Sequence, residues 1–131
     1  PKGVAITQGN LINFLLSMAV EPGLQSHDVL LAITTISFDI HILELFLPLL
    51  VGAHLVVASK QQAVTPEALQ RLVDAHSVSV LQATPATWRM ILGHGWLPQR
   101  KLKILVGGEA LPVDLRPLMH AASSELWNMY G

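Results

Sequence analysis

Apolar residues along the chain come in short runs, separated by polar residues, glycine or proline. Leu11, Phe14, Leu15 and Met18 recur at helical spacing behind Asn10, a residue type suited to capping a helix. Val29-Leu30-Leu31-Ala32-Ile33 is unbroken, the pattern of a strand buried on both faces. Residues 34–39 make a polar-tipped connection. Residues 42–50 read as a helix stopped at Gly52, and 54–58 as a second buried strand. Thr65, Pro66 and Glu67 carry the start signals of the next helix: a capping hydroxyl, a proline in the first turn and an acid at the positive end of the dipole. Leu69, Leu72, Val73 and His76 form its expected inner face. A strand over 78–82 follows, then a helix over Pro85–Leu92 ended by Gly93 and Gly95. Leu102–Val106 is a strand that runs into Gly107-Gly108-Glu109. Residues 112–122 form a helix and 126–130 a last strand. Such alternation predicts an α/β fold with a mostly parallel sheet and helical crossovers. Residues 1–131 show no repeat, low-complexity tract or internal boundary, and read as one unit.

Composition sharpens this picture. Hydrophobic residues make up 51% of the 131 and charged residues 13%, against about 25% charged in an ordinary soluble domain. So few charges cannot coat a small globule, which suggests the interior of a larger α/β body. A net charge of −1 offers no footprint for nucleic acid or an anionic membrane. Without cysteine there is no disulfide, thiol nucleophile or thiolate metal site, and the expected setting is cytoplasmic. The strongest membrane candidate, residues 42–58, is interrupted by Glu44, Pro48, Gly52 and His54. A span needs about 20 mainly apolar residues, so no membrane partner is expected. Pro1-Lys2-Gly3 opens the chain without an initiator Met or a signal segment, and both ends are expected to lie within a longer polypeptide.

Several standard constellations are missing. There is no G-x-G-x-x-G after a strand and no G-x-S-x-G elbow. Histidines 27, 41, 54, 76, 94 and 120 lack metal-ligand spacing, so no metal site is expected from them. What stands out are three strand ends. Ser37-Phe38-Asp39 follows the first buried strand, where open α/β sheets bind ligands. Asp39 either caps the next helix or serves as a buried carboxylate that pairs with a substrate cation. Gly107-Gly108-Glu109 permits close approach to the backbone, or is a plain strand-to-helix turn. In Asn128-Met129-Tyr130-Gly131 the tyrosine ring can stack on a flat ligand or fill core.

Taken in order, four segments resemble motifs of the adenylation domains of nonribosomal peptide synthetases, within the adenylate-forming enzyme superfamily. Pro1-Lys2-Gly3-Val4 resembles the end of the phosphate-loop motif. Ser37-Phe38-Asp39, Gly107-Gly108-Glu109-Ala110-Leu111 and Asn128-Met129-Tyr130-Gly131 resemble the motifs that follow. The resemblance covers the whole chain and implies the central part of the large N-terminal subdomain. It also implies the activity: an amino acid and ATP give an aminoacyl adenylate and pyrophosphate, and the aminoacyl group then passes to the phosphopantetheine thiol of a peptidyl carrier domain. ATP, Mg2+, that carrier and neighbouring synthetase domains are the implied cofactors and partners. Asp39 would hold the substrate ammonium, a charge-assisted pair in a dry pocket. Asp39, Ile40, Leu43, Gln82, Leu105, Gly107 and Met129 match the specificity pocket. Lys2, Gly108, Glu109, Ala110, Asn128, Tyr130 and Gly131 match the nucleotide site.

Ile40, Leu43 and Met129 are bulky and no second charge lines the pocket, a pattern that resembles glycine pockets, with alanine as runner-up. The rest of the phosphate loop, the acidic magnesium-linked motif and the C-terminal lysine do not occur in these residues. The segment alone is therefore expected to hold no catalytic residue, to be inactive and to fold poorly. The competing readings are an acyl-CoA synthetase or aryl acid ligase, which needs no carboxylate at position 39, and a catalytically silent interaction module.

Overall fold

The computed structural model describes residues 3–130. Five parallel strands form one sheet in the order β2-β1-β3-β4-β5: β1 Val29–Ala32, β2 His54–Val57, β3 Val80–Ala83, β4 Leu102–Val106 and β5 Ser123–Asn128. Among the described residues six α-helices connect or flank them: α1 Gln8–Met18, α2 His41–Val51, α3 Lys60–Ala63, α4 Pro66–Ala75, α5 Pro85–Leu92 and α6 Arg116–Ala122. Parallel pairing requires these long crossovers, and the alternation seen in the sequence satisfies that need.

Side chains on successive strand residues point to opposite faces, so each strand contributes to two cores. On one face Leu31, Leu81, Ile104 and Val106 meet Leu69 and Val73 of α4, Trp88 and Ile91 of α5, and Met119 of α6. Trp88 is fully buried and its indole N–H donates to the Leu105 carbonyl at 3.3 Å. On the other face Leu30, Val80 and Leu105 meet Leu15 of α1 and Leu43 and Leu47 of α2. Helices thus lie on both sides of the sheet, as a continuous apolar strand pattern demands.

Element ends differ from expectation in several places. Thr7, not Asn10, caps α1. Asn10 is the third helical residue, and its side chain accepts from the Thr7 backbone N–H at 3.0 Å while the Thr7 hydroxyl accepts from the Asn10 N–H at 3.2 Å. Leu11, Leu15 and Met18 face the core as expected, whereas Phe14 is exposed. Helix α2 begins one residue earlier than expected and ends at Gly52, whose φ of 75° forms a left-handed cap. Thr65 occupies the cap position of α4 without a capping bond, because its hydroxyl donates to the Gln61 carbonyl at 2.8 Å. His76 ends that helix exposed rather than in its inner face. Residues 113–115 form a 3-10 turn before α6. Strand β5 starts at polar Ser123 and stops at Asn128, three residues earlier and two residues shorter at its end than the apolar pattern indicates. Pairing with β4, in register Leu102↔Ser123 through Val106↔Asn128, overrides local pattern there.

Candidate functional site

Sheets of this kind bind ligands beyond the carboxyl ends of their strands, where the strand order reverses. Here the reversal falls at β1, which pairs with β2 on one side and β3 on the other. The 33–40 loop leaves the end of β1, Gln82 lies near the end of β3, Gly107-Gly108 follows β4, and Asn128-Met129-Tyr130 closes β5. One edge of the sheet therefore collects all three strand-end motifs.

The loop after β1 is fastened by a buried acid in α2. Glu44 is fully buried. One of its oxygens accepts the backbone N–H groups of Ile33 and Thr34, both at 2.9 Å. The other accepts the Thr34 hydroxyl at 2.6 Å and the Gln82 amide at 3.4 Å. Burial pushes its carboxyl above the ordinary 4.5, opposed by the bonds from Thr34, Ile33 and Gln82. Gln82, also buried, donates from the same amide nitrogen to the Ile40 carbonyl at 3.2 Å. Glu44 is absent from every motif in the sequence. Its one available signal is a lone charge in an apolar helix, since buried charges must find partners.

Asp39 sits exposed at the tip of this loop, not in an apolar enclosure. Neither does it cap α2: Ile40 holds the cap position and no side chain bonds there. The Asp39 carbonyl accepts the Ile42 N–H at 3.0 Å, which leaves its carboxylate outside the helix's own bonding. Behind it Leu43 and Leu105 are buried and Ile40 half-buried.

The glycine turn packs onto this loop. A Cβ on Gly108 would stand 3.6 Å from Phe38 Cζ, 3.7 Å from Ile40 Cδ1 and 3.4 Å from Thr84 Cγ2. Its φ of +83° lies where other residues are strained. A Cβ on Gly107 would stand 3.3 Å from Met129 Cβ, so these two positions share one wall. Met129 in turn packs against the core that holds Leu43 and Leu105. Glu109 and Ala110 are exposed beside the turn. Asn128 is exposed and its side-chain oxygen accepts the Tyr130 N–H at 3.3 Å, which fixes the chain's direction after β5. The Tyr130 ring is 53% exposed, open for stacking.

Of the expected pocket residues, Gln82 thus bonds to Ile40, Gly107 abuts Met129, and Met129 packs with Leu43 and Leu105, while Asp39, Gly108, Asn128 and Tyr130 lie exposed at the same strand ends. Lys2 and Gly131 lie outside the described residues. A largely apolar cavity of 580 Å³, between the loop and the end of β2, takes in Ile40, Phe38, Thr84 and Val57 but none of the other expected pocket residues. Among the described residues no group of three or more acidic or histidine side chains is placed to hold a metal ion, and no helix is long and apolar enough to cross a membrane.

Comparison with known proteins places this geometry among enzymes. The family model described as AMP-binding enzyme matches residues 1–131. A dimodular nonribosomal peptide synthase of Bacillus subtilis (strain 168) is 43% identical over 131 residues, all of this chain and 6% of its own length. A PKS-NRPS hybrid synthetase of Aspergillus candidus is also 43% identical, over 132 residues and 5% of its length. The chain therefore spans only a small share of these relatives. Among solved structures, a four-domain nonribosomal peptide synthetase bound to AMP and glycine matches with a TM-score of 0.93 and 44% identity, over all of this chain and 10% of that one. An o-succinylbenzoate coenzyme A synthetase of Bacillus subtilis shares the fold at a TM-score of 0.86 and 22% identity, covering 27% of that chain.

Proposed function

The chain belongs to the AMP-binding enzyme family, and from that premise we propose that it is the substrate-selecting part of an amino-acid adenylation domain. The complete domain would join the carboxylate of an amino acid to the α-phosphate of ATP. An oxygen–phosphorus bond forms and pyrophosphate leaves with the bonding pair; the phosphopantetheine thiol of a carrier domain then attacks the acyl carbon, a thioester forms, and AMP leaves with the electrons of the broken acyl–oxygen bond. The observation that carries this reading is the convergence of the Asp39 loop and the Gly107-Gly108 turn, with Gly108 against Phe38 and Ile40.

In this reading the Asp39 carboxylate pairs with the substrate ammonium. Its freedom from helix capping supports that role. A charged partner contributes about 1.5–3 kcal/mol, enough to prefer an amino acid over an acid without the amine. The Gly108 turn and the Tyr130 ring offer a close backbone approach and a stacking face to adenine, with Asn128 at the edge of the base. Mg2+ would accompany the ATP phosphates, and we assign it no ligand among the described residues.

Glycine is the proposed substrate and alanine the runner-up. Ile40, Leu43, Leu105 and Met129 fill the wall behind Asp39 and supply no second charge. The glycine named in the 44% identical neighbour supports the same choice. Amino-acid-dependent ATP–pyrophosphate exchange by the complete parent domain, over the common amino acids, tests the proposal. Exchange driven by glycine is expected. A large or charged amino acid as the driver would overturn the glycine assignment. A carboxylic acid lacking the amine would remove Asp39 from its role and favour an acyl-CoA synthetase or aryl acid ligase. No exchange with any acid would favour a silent interaction module.

A further inference from the structure

We propose that Glu44 is a positioning residue for amino-acid selection: with Gln82 it holds the 34–40 loop, and so Asp39 and Ile40, against the end of β3. The inference rests on the amino-acid reading above and adds a residue outside its motifs. Two buried side chains from different elements grip the two ends of the loop. Glu44 takes the Ile33 and Thr34 N–H groups where the chain leaves β1, and Gln82 takes the Ile40 carbonyl where it enters α2. The Gln82–Glu44 bond joins the two grips. Between them, the hydrogen bonds of residues 35–39 are local: Ser37 N–H to the Thr35 hydroxyl, Phe38 N–H to the Thr35 carbonyl and the Phe38 carbonyl to His41. With the Asp39 carbonyl on the Ile42 N–H and Gly108 against Phe38 and Ile40, these two side chains therefore set where Asp39 stands.

All four groups around the Glu44 carboxylate act as donors toward it. A carboxylate can accept on both oxygens, whereas a carboxamide accepts on one only. In the Glu44→Gln variant the two backbone N–H bonds can be kept, and the new amide can donate to the Thr34 hydroxyl. It then faces the Gln82 amide donor to donor, so the bridge toward Ile40 breaks while volume is conserved.

The test is ATP–pyrophosphate exchange by the complete parent domain, with KM measured separately for ATP and for glycine or whichever amino acid the wild-type domain activates. Glu44→Gln should raise the amino-acid KM about tenfold, the loss expected for one bond to a charged group. The KM for ATP should stay within about twofold, since the broken bridge leads to the Asp39 loop and away from Asn128 and Tyr130. Thr34→Val removes one donor and should raise the same constant less, and Thr34→Ser should restore it. An unchanged amino-acid KM, or equal rises for both substrates, would overturn the inference. Should Glu44→Gln fail to fold, the Thr34 pair decides: equal amino-acid KM in Thr34→Val and Thr34→Ser sinks it. A wild-type domain driven only by acids without an amine ends the underlying reading itself, whereas amino-acid-driven exchange with an unaltered Glu44→Gln variant ends this inference alone.

Discussion

The two faces of the sheet are built for different tasks. Beneath α4, α5 and α6 the core is closed, and Trp88, Ile91, Ile104, Leu115 and Met119 have no exposed surface. Beneath α1 and α2 the inner positions are filled, but the outer sides of the same helices carry Ile12, Leu16, Phe46, Leu49 and Leu50 in the open. Monomeric proteins rarely leave so much contiguous apolar surface uncovered. The open face is also the one whose core holds Leu43, Leu105 and Met129, and whose helix α2 carries Glu44. One face secures the fold, while the other combines the candidate site with surface suited to further protein. The low charge of the chain is concentrated in meaning there.

The comparison can be broken most directly at Trp88. Trp88→Ala in the complete parent domain should cost about 3–5 kcal/mol in urea unfolding, through lost packing and the lost bond to Leu105. A cost below 1 kcal/mol would mean that the closed face is not the stabilising one. Next in size is Asp39→Ala, which should lower amino-acid-dependent exchange by about 10–150-fold and leave the unfolding midpoint unchanged, because Asp39 is exposed and caps nothing. Gly108→Ala should destabilise by about 1–2 kcal/mol, since its φ of +83° disfavours any Cβ; this is read by thermal unfolding. Leu49→Ser, on the open side of α2, should change the stability of a domain in which that side is uncovered by less than about 0.5 kcal/mol. A larger loss would show that other parts of the parent cover it.

The smallest effect sharpens the comparison through pH. The Glu44 carboxyl is raised by burial, so the folded state holds its proton more firmly than the unfolded state does. Its contribution to stability is full below about pH 4.5 and declines as pH rises through the higher folded value. Denaturation across pH should therefore show the Glu44→Gln variant gaining on the wild type as pH increases from there. A difference independent of pH would contradict the raised carboxyl.

Much of this arrangement is legible in the sequence, and the exceptions have physical causes. β4 matches its apolar run at both ends, and α2 is one residue out at each end, because buried pattern and a glycine stop decide both. Strand β5 is misjudged because Ser123 and Glu125 pair with β4 at the edge of the sheet, with Ser124 skipped at a register irregularity, a contact that local polarity hides. Helix α3 is too short for periodicity, though Ser59 and Gln62 form a capping box that signals it. For the site, strand-end position marks Asp39, Gly108 and Asn128. The bond from Gln82 to Ile40 spans 42 residues and that to Glu44 spans 38, so no local spacing reveals it.

Lys103 in β4 donates to the carbonyls of Pro22 and Gly23, at 3.1 and 3.0 Å, and pairs with Glu125 of β5 at 3.5 Å. That amine leaves the ribosome eighty residues after the carbonyls it holds. Chains are made from the N-terminus at about 5–20 residues per second, so the turn after α1 waits several seconds for this anchor. Strand β1 meets its neighbour β2 early and β3 only later. Until the anchor arrives the helix before that turn rests on α2, through Leu15 against Leu43 and Leu47, and the apolar outer sides of both helices are what a nascent-chain chaperone would meet.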